Sequence, residues 1–324
     1  MQIARSPVRL TFGGGGTDIA SYYTHSDGFI IAAGINKYSW VMVNRGYYDY
    51  IHLKYSKEEK VQVVKEISHP IIREMLKLFA CVEPVEITSM ADYPTGSGLG
   101  TSGSFAVALA KCLSDYYGKH NSYHREIAEL ACHVEIDLLG DPIGKQDQYA
   151  SAFGGINAYT FNSNGYVTVE PLEIKNLETL EQNLLLFDTQ IPRKSSDVLT
   201  NQVKDMELGG ETLNRLDKVK EMTYEMRELL ESGKLDEWGS LLNDYWQERK
   251  KVAHGITNPV IDEAYEEAIK CGALGGKLQG AGGGGFLMFY APANHEDIID
   301  RLTSMGLKHF PFKFDFEGVH SWSI

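Results

Sequence analysis

The residue types that could do chemistry gather in one stretch, Pro94 to Ser104, which reads PTGSGLGTSGS. Gly96, Gly98, Gly100 and Gly103 alternate there with small hydroxyl residues. Apolar residues at helical spacing follow at once: Phe105, Leu109, Cys112, Leu113 and Tyr116. Glycine lets the backbone approach a ligand closely and reach positive φ. A helix start aims unpaired N–H groups and the positive end of its dipole into the same space. Together these make an anion site, most often for phosphate. The hydroxyls of Thr101, Ser102 and Ser104 are suited to phosphate oxygens or to a phosphate-bound metal. An ordinary capped loop is the plain alternative, and four glycines in so short a span argue against it.

Two nucleotide motifs fail against this loop. Gly98-Leu99-Gly100-Thr101-Ser102-Gly103 matches G-x-G-x-x-G in form. That fingerprint belongs in a tight turn directly after a buried strand. Here Asp92-Tyr93-Pro94 intervenes, and proline bars a direct entry from strand to turn. The Walker A pattern is absent because no Gly-Lys-Ser/Thr occurs, and no H-R-D loop with a D-F-G motif is present.

Two more glycine-rich segments flank the loop. Near the start, Pro7-Val8-Arg9-Leu10-Thr11-Phe12 runs into Gly13-Gly14-Gly15-Gly16-Thr17-Asp18; near the end, Gly275 to Gly285 runs into Phe286-Leu287-Met288-Phe289-Tyr290. Each run abuts an apolar segment and the first carries Arg9 and Asp18, so close backbone approach to a ligand is expected along them. Phosphoryl transfer requires positioning, charge neutralisation and often an orienting carboxylate. Glu135 and Asp147 are the acidic candidates. On spacing alone, a solvated helix residue and a capping loop acid remain the stronger readings.

The elements that must position these residues are an α+β mixture. Strands are expected over 2–12, 29–44, 47–54 and 84–91, and helices over 70–80, 104–118 and 123–139. A hairpin over 153–161 and 166–172 turns at Asn162-Ser163-Asn164-Gly165. Leu184-Leu185-Leu186-Phe187 reads as a buried strand, followed by about seventy polar, helical residues with breaks near Gly209-Gly210 and Ser232-Gly233. Helices over 259–271 and 294–305 and terminal strands complete the chain. A boundary near 180 divides an N-terminal domain (1–180) from a C-terminal one (181–324).

The chain has 324 residues and a formal charge of −13, which speaks against nucleic-acid binding. No apolar run is long enough for a membrane span, and the first residues lack an apolar signal core. The four scattered cysteines read as reduced thiols of a cytoplasmic protein. With that net charge, a phosphorylated ligand must be held by local cations, loop amides or Mg²⁺.

The three glycine segments, in this order and at these separations, resemble motifs 1, 2 and 3 of the GHMP small-molecule kinases. PTGSGLGTSGSFAVAL is similar to P-x-G-x-G-L-G-S-S-A-A, with Thr101 and Gly103 among its departures, and LQGAGGGGFLMFY resembles motif 3 closely. The resemblance covers essentially the whole chain. It implies a two-domain GHMP-kinase-like fold: an N-terminal α/β domain with the phosphate loop and a ferredoxin-like α+β C-terminal domain. It further implies ATP on Pro94, Gly96, Ser97, Gly98, Leu99, Gly100, Thr101, Ser102 and Gly103, and Mg²⁺ on Ser102 and Glu135. Asp147 matches the catalytic aspartate segment and Arg9 the motif 1 arginine beside the reacting hydroxyl. Gly15, Gly16, Thr17 and Asp18, with Gly282 and Gly283, are the implied substrate contacts.

Gly15-Gly16 stand where galactokinases have Glu-His, which argues against galactokinase itself. The tetraglycine, KQDQYASAFGG and motif 3 look most like the D-glycero-D-manno-heptose 7-phosphate kinase branch, which phosphorylates an anomeric hydroxyl. Kinases of unphosphorylated sugars, such as fucokinases, are the alternative, and a catalytically silent binding protein of this fold is a further one. Adjacent cations Arg193 and Lys194, just after the strand at 184–187, form a candidate clamp for a sugar phosphate. A solvated helix start is the competing reading of that pair. The implied partner is a small-molecule sugar or sugar phosphate, bound by a monomer or homodimer.

Overall fold

The computed structural model describes residues 1–93, 96–118, 123–191, 200, 203 and 210–324. Alternating apolar residues extend the chain into β1 (Gln2–Gly13), and after a glycine turn and the short helix α1 (Ala20–Tyr23) into the eighteen-residue β2 (Gly28–Arg45). The turn between them needs its glycines. Gly14 has φ of 84°, and a Cβ there would lie 1.9 Å from the carbonyl oxygen of Phe29.

A hairpin follows, β3 (Ile51–Lys54) and β4 (Glu58–Val61), then α2 (Pro70–Leu78) and β5 (Val85–Ala91). Only part of the expected 47–54 strand is extended, and β4 was not anticipated because its EEKV sequence carries no apolar alternation. β2 is long enough to take two partners on one side. Its first half pairs with β6 (Ile156–Phe161) and its second half with β5. β7 (Val167–Pro171) completes the expected hairpin with β6. The sheet is antiparallel except where β3 runs parallel to β5.

On this sheet pack α3 (Thr101–Tyr116), α4 (His124–Cys132) and α5 (Gln146–Phe153), burying Val107, Leu109, Leu113, Ile127, Ala131 and Tyr149. The expected helix over 123–139 changes winding at its end, where His133–Leu138 forms a π-helical turn.

The rest of the chain builds a second sheet. After α6 (Leu177–Asn183), β8 (Leu184–Asp188) is the first of its strands; α7 (Glu211–Ser232), α8 (Leu235–Arg249) and α9 (Pro259–Lys270) follow. β9 (Gly275–Leu278), β10 (Phe286–Tyr290), α10 (His295–Ser304) and β11 (Lys308–His309) give the antiparallel order β11-β8-β10-β9. Phe187, Phe289, Trp238, Trp246 and Tyr265 fill the core between this sheet and its helices. The last strand, β12 (His320–Ser323), leaves this half and pairs antiparallel with Gln2–Arg5 at the edge of the first sheet. No described helix is long and apolar enough to cross a membrane.

Candidate active site

β1 is the floor on which the site is assembled. Arg9 lies on it, only 2% exposed, and its donors reach in three directions. Its backbone N–H donates to the Leu99 carbonyl at 3.0 Å, and its Nη1 donates to the Gly98 carbonyl at 2.6 Å. Nε and Nη2 both reach Asp147 Oδ1, at 2.9 and 2.7 Å. One guanidinium thus ties the glycine loop and the acidic helix α5 to the same strand.

The loop is shaped as its glycines require. Gly96, Gly98 and Gly100 have φ of 73°, 82° and 75°, in the left-handed region that side chains avoid. Gly100 is the cap of α3, and Ser104 makes that helix's first backbone bond, to Gly100 at 2.9 Å. The N–H groups of Thr101, Ser102 and Gly103 therefore precede the helical ladder and face the anion-binding end of its dipole. Ser97 accepts from the Leu99 N–H at 3.3 Å, and Leu99 is buried as an anchor.

Opposite the loop, the π-helical turn carries Glu135 into the interior. A wider turn shifts the residues that follow from their α-helical positions, and such turns recur at functional sites. Glu135 is fully buried, accepting from the Ser102 hydroxyl on one oxygen and from Gln148 Nε2 at 2.7 Å on the other. Burial pushes its carboxyl up to about 7, helped by the charges of Asp147 and Asp141, while the two hydrogen bonds pull it down. A buried carboxylate with no cation paired to it among the described residues is suited to a metal ion. Among the described residues no group of three or more His, Cys, Asp or Glu gathers here, which leaves phosphate oxygens and water as the other ligands of an ion at this place.

Asp18 stands at the other end. It is buried, with Oδ1 accepting from the Gly16 N–H and Oδ2 from the Gln146 N–H, each at 3.2 Å. Burial, and next the charge of Asp147, push it up to about 6. Gly144 packs so tightly on it that an added Cβ would lie 1.9 Å from Oδ2.

These groups line a cleft of about 250 Å³. Its walls include Arg9, Gly15, Gly16 and Asp18; Gly96, Gly98 and Gly100 to Gly103; and Glu135, Asp147 and Arg249. Thr17 turns inward instead, donating to Gly14 O at 2.8 Å and accepting from Phe29 N–H at 3.0 Å. Gly282 and Gly283 pack beside Ile256 and Gly255, and Gly282 borders a smaller cavity behind the cleft. Pro94, Arg193 and Lys194 lie outside the described residues. Sequence reasoning missed Arg249, whose charged neighbours Lys250 and Lys251 make it look like a solvated helix end. It also passed over Gln146, although KQDQ held the signal of a polar pair around the candidate acid.

A cleft between a glycine-capped helix start and an arginine–aspartate pair, faced by a buried glutamate, defines a small-molecule phosphotransferase. The chain belongs to the GHMP kinases: residues 62–155 match the GHMP kinases N terminal domain and residues 226–307 the GHMP kinases C terminal domain. Membership makes it an ATP-dependent small-molecule kinase. It is 31% identical to the D-glycero-alpha-D-manno-heptose 7-phosphate kinase of Campylobacter jejuni, over 99% of this chain and 98% of that protein. It is 32% identical to the L-fucokinase/L-fucose-1-P guanylyltransferase of Bacteroides fragilis, over 69% of this chain but 24% of that protein. Among solved structures, the D-glycero-D-manno-heptose 1-phosphate kinase from Bacteriodes thetaiotaomicron superposes with a TM-score of 0.82 at 26% identity, covering 100% of this chain and 99% of that one.

Proposed function

We propose that this protein transfers the γ-phosphoryl group of ATP to the anomeric hydroxyl of D-glycero-D-manno-heptose 7-phosphate, with Mg²⁺ as the required ion. The observation that carries the reading is the Arg9–Asp147 pair, held between the phosphate loop and Asp18, in a chain similar over its full length to a heptose 7-phosphate kinase. The glycine loop and the first amides of α3 receive the triphosphate. Ser102 and Glu135 fit a hard divalent cation, which when bound neutralises charge on the phosphates. Asp147 accepts, or orients, the proton of the attacking hydroxyl. Arg9 sits where negative charge develops on the transferring group, and its place is fixed beforehand by Gly98 and Asp147. Buried Asp18 accepts hydrogen bonds from sugar hydroxyls at the acceptor end of the cleft.

A second reading is favoured by one observation: the similarity to a fucokinase is 32% over 69% of the chain. Coupled ADP release over heptose, heptose 7-phosphate, fucose and galactose separates the two. Heptose 7-phosphate should be turned over with the highest kcat/KM. A preference for fucose or any other unphosphorylated sugar contradicts the proposal and favours the second reading.

A further inference from the structure

Behind the cleft lies a smaller cavity whose wall includes Thr11, Gln146, Tyr245, Trp246, Arg249 and Lys277. Arg249 borders both spaces, and no residue of the phosphate loop, nor Glu135, borders the inner one. Arg249 therefore stands at the end of the cleft formed by Gly15 and Gly280, away from where the triphosphate would lie. It is buried at the last turn of α8. Lys277 is buried as well, its Nζ donating to the Thr11 carbonyl at 2.9 Å. Burial first, then the nearby charges of Arg9 and Arg249, hold that ammonium well below its ordinary value. The basic side chains of Arg9, Arg249 and Lys277 thus share one buried region of a chain whose net charge is −13.

Among the described residues, the only cations on the cleft wall are Arg9 and Arg249. Arg9 commits Nε and Nη2 to Asp147 and Nη1 to Gly98, which fits it to the reacting end. Among the described residues, Tyr245 and then Asp18 favour the charged form of Arg249 against its burial. The inner cavity, about 10 Å³, has room for no more than a single water, so an anion must meet Arg249 from the 250 Å³ side. Trp246, which lines that cavity, has its Nε1 buried with no acceptor among the described residues, which fits a water there.

We propose that Arg249, backed by Lys277, forms an anion subsite at the inner end of the cleft that receives the phosphate the acceptor sugar already carries. This rests on the reading that the acceptor is a sugar phosphate. A planar guanidinium can bind two phosphate oxygens at once, and a dianion beside it offsets the repulsion between the buried guanidinium groups and favours the charged form of Lys277. The subsite explains how an acidic protein selects a phosphorylated sugar with the cations it has on its cleft wall.

The test compares wild type, Arg249→Gln and Arg249→Lys by steady-state kinetics with heptose 7-phosphate, heptose and ATP. Inorganic phosphate serves as a competing probe against the sugar. Arg249→Gln should raise KM for heptose 7-phosphate about ten- to hundredfold, the loss of a hydrogen bond to a charged group. ATP KM should stay within about twofold, and the preference over heptose should shrink by the same factor. Arg249→Lys, which keeps the charge and loses the fork, should fall between, and it carries the test if the glutamine variant does not fold. Inorganic phosphate should compete with heptose 7-phosphate in wild type and lose that competition in the variants. If wild type prefers the phosphorylated sugar and Arg249→Gln or Arg249→Lys weakens both sugars equally, or neither, the subsite assignment is wrong. If wild type does not prefer the phosphorylated sugar, the parent reading fails first and the subsite with it.

Discussion

Asp147 is held by two nitrogens of Arg9 on one oxygen, and its carboxyl remains partly open to the cleft. Asp147→Asn preserves the shape and removes the proposed proton acceptor. A positioned base contributes about a hundred- to ten-thousandfold in rate, so kcat should fall by that order while ATP affinity, measured by calorimetry, changes little. Turnover within a few-fold of wild type would show that the hydroxyl attacks without this base. Asp18 makes a prediction of opposite sign for stability. Its pKa rises from 3.8 in the unfolded chain to about 6 when folded, chiefly through burial. The folded state therefore binds this proton more tightly. Burying Asp18 costs little below about pH 4; the cost grows as pH rises through 6 and is complete above it. At about 1.4 kcal/mol per pH unit, the effect of Asp18→Asn on stability should be more favourable at pH 8 than at pH 4 by roughly 2–3 kcal/mol, whatever the amide loses by keeping only one of the two acceptor oxygens. Denaturant melts at both pH values check this, and an equal effect at both would refute it. At this scale the resemblance to the family's motifs singled out Arg9, Asp18, Glu135 and Asp147, which the structure gathers on one cleft wall, whereas spacing alone left Glu135 and Asp147 as ordinary acids. Arg249 and Lys277 were not legible, because burial of a cation at the end of a charged helix or inside a glycine run leaves no local pattern.

Between elements, the contact that matters is α3 against α5. Gly103 departs from the alanine of the family pattern, and the packing gives the reason. A Cβ on Gly103 would lie 2.8 Å from the Asp147 Cβ and 3.1 Å from the Gln148 N. Alanine there should favour helix α3 by up to about 1 kcal/mol and yet displace the carboxylate. Gly103→Ala should thus lower kcat about ten- to hundredfold, because a shift near 1 Å at the reacting groups is costly, with a melting temperature close to wild type. A kcat within twofold of wild type would show that α5 moves aside without cost. The sequence revealed α3 through its apolar spacing and the glycines before it. It hid α5, since QDQYASAF is short, mixes polar and small residues, and runs into Gly154-Gly155. The π-helical turn was equally hidden: the apolar period of 123–139 fits an ordinary helix, and the extra residue is detectable only in the backbone bonds, such as Leu139 N–H to Val134 O at 3.1 Å.

For the molecule as a whole, the chain closes on itself. The Met1 ammonium donates to the Ile324 carbonyl and the Ile324 N–H to the Met1 carbonyl, both at 3.0 Å, so the last strand covers the edge of β1. Before it, Asp315 bonds to Gly34 and Val319 is buried against the first sheet. The floor that carries Arg9 is thereby clamped by the far end of the sequence. Deleting residues 319–324 removes the buried Val319 side chain, about 1.5–3 kcal/mol, and the edge pairing of β12. The melting temperature should fall by roughly 3–10 °C; an unchanged value would make the terminal strand an ornament of the sheet. The α+β character was readable from the order of strands and helices, whereas this return of the C-terminus to β1 was not, because strand pairing across more than three hundred residues has no local sequence signal. The central claim, that this cleft phosphorylates the anomeric oxygen of a sugar phosphate, meets its most direct test in ³¹P NMR of heptose 7-phosphate incubated with Mg²⁺-ATP and enzyme. The account predicts a second sugar phosphate resonance, coupled to the anomeric proton, that grows with ADP while the original resonance persists, and that is nearly absent with Asp147→Asn. A new phosphate on any other carbon, or ADP release with unphosphorylated sugar only, would contradict it.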